Sequence, residues 1–200
     1  MADWLRAVGE ANLGDLGAVQ LREKDLDDRA LYALTRLARS ILPPAVRLLV
    51  NGRLDVALAA GADGVHLPGD GVPVAALRAR FGADPLIGCS THTVVEVERA
   101  RDGGADYVTF GPVYATPGKG APVDSGELAR AAACGLPVYA LGGITLERFG
   151  ELATAGAAGI AAIRLFQSTS VPHLAELTRA ARESFGHADS GPDKRRAFWK

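Results

Sequence analysis

Two hundred residues, 48% of them hydrophobic, suffice for one domain with a sizeable core. A formal net charge of −1 excludes a global field for nucleic acid or an anionic membrane, so any anion must be bound by local groups. The two cysteines, Cys89 and Cys134, are too few for a disulfide scaffold and fit a reduced, cytoplasmic protein. No apolar run approaches the roughly 20 residues that span a bilayer, and the opening residues lack the apolar stretch of a signal peptide.

In chain order, residues 3–12 pattern as a helix with Trp4, Leu5 and Val8 on one face. Seven short apolar runs follow, near 18–22, 47–50, 64–67, 86–89, 106–110, 137–141 and 158–163, each ending in a polar or glycine-rich tip. Helical patterns alternate with them, near 26–41, 53–60, 73–81, 93–103, 126–134, 146–155 and 171–185. Strands covered on both faces read as continuous apolar runs, and this alternation predicts a parallel sheet. The turns Ala60-Gly61-Ala62-Asp63 and Gly103-Gly104-Ala105-Asp106 repeat one helix-to-strand connection, and Ala155-Gly156-Ala157-Ala158-Gly159 resembles them.

The expected fold class is α/β, a (β/α)8 TIM barrel lacking the first strand at the N-terminus. A barrel needs eight strands, the sequence offers seven, and it opens on a helix. Runs 18–22 and 158–163 would then face an open gap with unpaired backbone groups. Either the start is truncated, or another chain or the N-terminal segment covers the gap. Residues 1–185 are expected to form the single domain. Residues 186–200 lack helical periodicity and are expected to be a mobile tail, although their Phe-Trp pair could dock on something.

Parallel strands bring their C-terminal tips to one end, where such folds carry chemistry. Gly142 and Gly143 let backbone amides approach an anion closely, or simply make a tight turn. The next tip, Ile163-Arg164, adds a cation able to pair with phosphate in two-pronged fashion. Along 20–24, alternation sets Gln20, Arg22 and Lys24 on one face. Two cations there call for an anionic partner, either a phosphorylated ligand or Glu23 and Asp25. Asn51 can orient a heterocycle, since an amide both donates and accepts. Ser90 offers a hydroxyl to a phosphate or ring nitrogen, and His92 offers either a catalytic imidazole or a helix cap. His66, inside an apolar run, reads as a histidine packed in a barrel layer. The loop 111–126 carries Tyr114, Thr116 and Lys119, and its prolines and glycines suit either closure over a ligand or plain solvated mobility. No metal-ligand cluster, Ser-His-Asp spacing or GxGxxG fingerprint is present.

The segments VQLREK (19–24), LLVN (48–51), DGVHLP (63–68), GCSTHT (88–93), DYVTFGPVYATPGK (106–119), LPVYALGGIT (136–145) and GIAAI (159–163) resemble, in order, the thiamine phosphate synthase/TenI family. The resemblance implies a (β/α)8 barrel and one of two activities in thiamine biosynthesis. The synthase joins hydroxymethylpyrimidine diphosphate to thiazole phosphate and releases diphosphate; the TenI-type tautomerase aromatises a thiazole carboxylate phosphate. By resemblance, Arg22, Lys24, Asn51, Ser90, Thr116 and Lys119 fall at pyrimidine diphosphate positions, with Gln20 beside them. Gly142, Gly143, Ile163 and Arg164 fall at the thiazole phosphate site.

Departures from the synthase pattern shift the expectation. Gly52 stands where the synthase carries a Mg²⁺-binding aspartate, and Pro68-Gly69-Asp70-Gly71 leaves only Asp70 where a second acidic ligand would lie. The first expectation is therefore a TenI-like tautomerase needing no cofactor, with Lys119, Tyr114 and His92 as catalytic candidates. Pro112 stands where some TenI proteins place a histidine. The alternative is a synthase with Mg²⁺ on Asp70, and a third reading is a non-catalytic phosphate-ligand binder or regulator. The expected partners are small phosphorylated heterocycles, not nucleic acid or membrane, with homo-oligomerisation left open.

Overall fold

The computed structural model describes residues 16–167, 171–186 and 197–199. The helix expected over 3–12 lies outside the described residues. In chain order the elements are β1 (Leu16–Leu21), α1 (Asp28–Ile41), β2 (Arg47–Asn51), α2 (Leu54–Ala60), β3 (Gly64–Leu67), α3 (Val74–Phe81), β4 (Leu86–Thr91) and α4 (Val94–Asp102). They continue with β5 (Tyr107–Phe110), α5 (Ser125–Ala132), β6 (Val138–Leu141), a single 3₁₀ turn at Leu146–Arg148 and α6 (Phe149–Thr154). Last come β7 (Gly159–Ala162), α7 (Arg164–Gln167), α8 (Val171–Phe185) and β8 (Ala197–Trp199). Local chemistry sets several helix starts: Asp27 accepts the Ala30 N–H at 2.8 Å, and Asp124 accepts the Gly126 N–H at 2.7 Å.

All seven predicted runs are strands, and they pair in parallel with their sequence neighbours. The architecture is thus α/β with seven parallel strands curled about one axis. Among the described residues an eighth extended segment comes from the C-terminal part of the sequence. Ala197–Trp199 pairs in parallel with both β1 and β7, which closes the ring. This segment lies where the sequence led us to expect an open gap. The backbone groups on the facing edges of β1 and β7 need partners, and a three-residue extended segment from the end of the chain supplies them. Unlike the other strands of the expected (β/α)8 pattern, β8 has no described helix after it.

Alternation divides the strand residues between an inner apolar cluster and outer ones. Ala18, Leu49, Tyr107, Tyr139 and Ala161 meet inside the ring. Val19, Leu48, Val65, Ile87, Val108, Val138 and Ile160 face outward and pack with helix residues such as Ala38, Val97, Leu128, Leu152 and Leu174.

The repeated turns build one bracing device at the N-terminal end of the strands. Asp63 accepts the Leu48 N–H at 2.8 Å and pairs with Arg39 at 3.1 Å and Arg47 at 2.9 Å. Arg39 also donates to the carbonyls of Leu42, Pro43 and Val46. Two strands on, Asp106 accepts the Ile87 N–H at 2.8 Å and pairs with Arg78, which donates to the carbonyls of Gly82, Pro85 and Gly104. In the third copy the carboxylate is replaced by Ala158, yet the backbone bond persists. Ala158 N–H donates to Val138 O as Asp63 does to Leu48 O and Asp106 to Ile87 O, each at 2.8 Å.

Candidate functional site

The strand tips enclose a polar layer just above the inner apolar cluster. Gln20, near the end of β1, is buried, and its side-chain amide donates to Asn51 Oδ1 at 2.9 Å. His66 on β3 is 1% exposed, as a packed barrel-layer histidine should be. Its Nδ1 lies 2.8 Å from the Tyr107 hydroxyl and its Nε2 3.0 Å from Ser90 Oγ. Tyr107 reaches His66 across Gly88, where any Cβ would sit 2.0 Å from the Tyr107 ring. The Tyr107 and Tyr139 rings then meet edge to face at 5.7 Å. Burial, with smaller contributions from Tyr139, Cys89 and Asp106, raises the Tyr107 pKa well above its ordinary value. Burial also pushes the Cys89 thiol up to about 11, aided by Glu96, which disfavours the thiolate.

Arg22 and Lys24 continue from β1 as exposed residues at this same end of the ring. Asp70 is exposed in the turn after β3, closed by the Gly71 N–H on Pro68 O. Across the mouth, the loop after β5 lies along the tip of β6. Val113 N–H donates to Leu141 O at 2.9 Å and Tyr114 N–H to Gly142 O at 3.2 Å. Thr116 Oγ1 donates to Tyr114 O, and the Lys119 N–H donates to Thr116 O. Lys119 itself is exposed. This packing explains the double glycine without any ligand. A Cβ on Gly142 would lie 2.7 Å from Pro112 Cβ, and one on Gly143 would lie 2.7 Å from Tyr114 Cβ, with φ at +101° and +62°. Ile163 and Arg164 are exposed at the adjacent tip, where Arg164 opens α7.

Two of the three catalytic candidates make described side-chain contacts. Tyr114 points outward, between the helices. Its ring lies under the Arg148 guanidinium at 3.7 Å, and it lines a cavity of about 70 Å³ with Val113, Leu128 of α5 and Glu151 and Leu152 of α6. Its hydroxyl is buried without a hydrogen-bond partner, and burial followed by the nearby Glu151 carboxylate raises its pKa. The sequence put Tyr114 in the right loop but could not say to which side the ring turns. His92 is a brace: its Nδ1–H donates to Gly111 O and its backbone N–H to Glu96 Oε2. It fixes the start of the β5 loop and serves α4, whose N-cap is Thr93. Lys119 alone of the three is exposed without a described side-chain engagement.

Among the described residues no group of three His, Cys, Asp or Glu is placed to hold a metal. Mg²⁺ commonly binds through one or two carboxylates plus substrate phosphates. The carboxylate that the sequence offers for this role, Asp70, is exposed at this end. Sequence reasoning passed over Thr109, which closes the polar layer on β5. It is 3% exposed, and its Oγ1 is buried without a hydrogen-bond partner. Counting in twos from the aromatic Tyr107 would have found it. Among the described residues no helix is long and apolar enough to cross a membrane.

Comparison with known proteins bears on this geometry. A family model described as thiamine monophosphate synthase matches residues 1–166. A Geobacter sulfurreducens relative, provisionally named a thiamine-phosphate synthase, is 47% identical over 166 residues, covering 80% of this chain and 78% of its own. The thiamine-phosphate synthase of Anaeromyxobacter dehalogenans is 38% identical over 182 residues, covering 89% and 82%. A solved structure of thiamine phosphate pyrophosphorylase from Pyrococcus furiosus superposes with a TM-score of 0.78 at 26% identity, covering 92% of this chain and 89% of that one. The ordered strand-tip motifs and these matches agree, and the chain belongs to the thiamine monophosphate synthase family of enzymes.

Proposed function

We propose that this chain is a thiamine phosphate synthase. The observation that carries the reading is sustained identity, 47% and 38% over most of the chain, to relatives named as synthases. The tautomerase expected first from the sequence takes second place. It rested on Gly52 and the thin Mg²⁺ ligand set, and the contacts of two of its proton-carrier candidates, Tyr114 with Arg148 and His92 with Gly111, lend it no support. We take the ring closed by β8 to act as the family's (β/α)8 barrel, with the strand tips as its active face.

In this reading a carbon–nitrogen bond forms between the thiazole and the pyrimidine methylene carbon as that carbon's bond to the diphosphate oxygen breaks. Gln20, Asn51 and Ser90 orient the pyrimidine from the walls of the ring. Arg22 and Lys24 meet the diphosphate, and Lys119 and Thr116 reach it from the loop after β5. Negative charge grows on the leaving diphosphate, so cations held ready there lower the barrier without reorganisation. Gly142, Gly143, Ile163 and Arg164 receive the thiazole phosphate. Mg²⁺, when bound with the diphosphate, supplies further charge neutralisation, with Asp70 as its protein carboxylate.

The test is to incubate the purified protein with both substrates and Mg²⁺ and follow thiamine phosphate by chromatography. Product formation is expected, and Arg22→Ala should raise KM for the pyrimidine diphosphate by roughly tenfold. Conversion of the thiazole tautomer in place of coupling would restore the tautomerase. Binding of thiazole phosphate with neither reaction would favour the regulator.

A further inference from the structure

The interior polar layer holds one group whose chemistry the fold leaves unused. On β5, Tyr107 faces the inside of the ring, as its contacts with Gly88, His66 and Tyr139 require. Two residues on, Thr109 faces the same way, one step nearer the strand tips. Its register partners are Ser90 on β4 and Tyr139 on β6. The layer's other described polar side chains have partners: Gln20 holds Asn51, and His66 lies between Tyr107 and Ser90. Thr109 Oγ1 is buried and has none. Burying a hydroxyl unpaired is unfavourable, and valine would fill the same space without that cost. A site built to hydrogen-bond a substrate leaves its own polar groups unpaired until the substrate arrives.

We propose that the Thr109 hydroxyl hydrogen-bonds the pyrimidine ring of the diphosphate substrate and thereby helps determine specificity. The inference rests on the synthase reading above. Thr109 lies beside Ser90, on the pyrimidine side of the site, whereas the thiazole phosphate groups come from the tips of β6 and β7. A threonine hydroxyl both donates and accepts, so it can donate to a ring nitrogen.

The experiment compares wild type, Thr109→Val and Thr109→Ser. It measures KM for each substrate, binding of the pyrimidine diphosphate by calorimetry, and Tm without ligand. The expected result for Thr109→Val is a roughly tenfold rise in KM and Kd for the pyrimidine diphosphate. Its KM for thiazole phosphate should stay within about twofold and its ligand-free Tm should not fall. Thr109→Ser should bind as wild type does. Wild-type affinity in Thr109→Val, equal losses for both substrates, or a lower ligand-free Tm would each overturn the proposal. If wild type couples the substrates and Thr109→Val matches it, the hydroxyl's role falls while the synthase stands. If wild type binds the pyrimidine diphosphate in a Thr109-dependent way but couples nothing, the synthase falls while the hydroxyl's role stands. Binding of neither substrate overturns both.

Discussion

His66 is enclosed by the ring, and both of its nitrogens meet hydroxyls, Tyr107 below and Ser90 above. One residue thus ties the apolar floor to the strand tips. Replacing it by leucine strips a hydrogen-bond partner from each hydroxyl, one of them deep in the core. His66→Leu should therefore lose about 2 kcal/mol in urea unfolding. Tyr107 adds a pH dependence. Its pKa is raised in the fold by burial, so below pH 10 it is neutral in both folded and unfolded chains and its contribution is fully present. Above pH 10 the unfolded chain ionises first and stability is lost as pH rises toward the folded value. Unfolding free energies between pH 8 and pH 11 should fall less steeply for Tyr107→Phe than for wild type. At this scale the sequence was informative where position on a strand decides direction: His66, which reads as packed in a barrel layer, is buried, and its hydrogen bond brings Ser90 beside it. It was silent where a loop decides, because alternation stops at Phe110 and nothing local tells Tyr114 to turn out under Arg148.

Among the elements, the Asp63 and Asp106 braces divide labour with the strand tips. They join helix, loop carbonyls and the start of the neighbouring strand at the end of the ring opposite the proposed chemistry. Conservative loss of either carboxylate should cost stability and leave substrate handling alone. Asp63→Ala and Asp106→Ala should each lower stability by about 2 kcal/mol, less than a fully buried pair would, since their charges are partly solvated. Calorimetric Tm together with KM checks this, and a raised KM at unchanged Tm would refute it. The strands and helices were legible because a strand covered on both faces must be apolar throughout and its connections recur with a fixed turn. The brace was half legible: the Ala-Gly-Ala-Asp and Gly-Gly-Ala-Asp repeats were visible, but their arginines lie 16, 24 and 28 residues away. The third copy, with Ala158, shows that the backbone bond is the common element and the carboxylate an addition.

For the whole molecule, the decisive contact is the one no local pattern announces. Three residues near the C-terminus complete a ring whose other seven strands come from 16–162. Their segment is short and follows a charged stretch, Asp193-Lys194-Arg195-Arg196, so nothing in it has the length or period of a strand. Its pairing is entirely long-range. A stop after residue 196 should leave the edges of β1 and β7 exposed, lower Tm by several degrees and promote self-association visible in gel filtration. A truncated protein with wild-type Tm and elution would show that the ring holds without β8.

Because β8 lies between the first and seventh strands yet follows all of them in sequence, a polypeptide that folded as it was made would leave the ribosome as an unfinished cylinder with two raw seams. Those seams would stay available to chaperones, or to the same seams on a neighbouring nascent chain, until residues 197–199 came free and slotted between them. Any fusion that stiffens or hides that terminus would therefore act on folding yield before it touched catalysis.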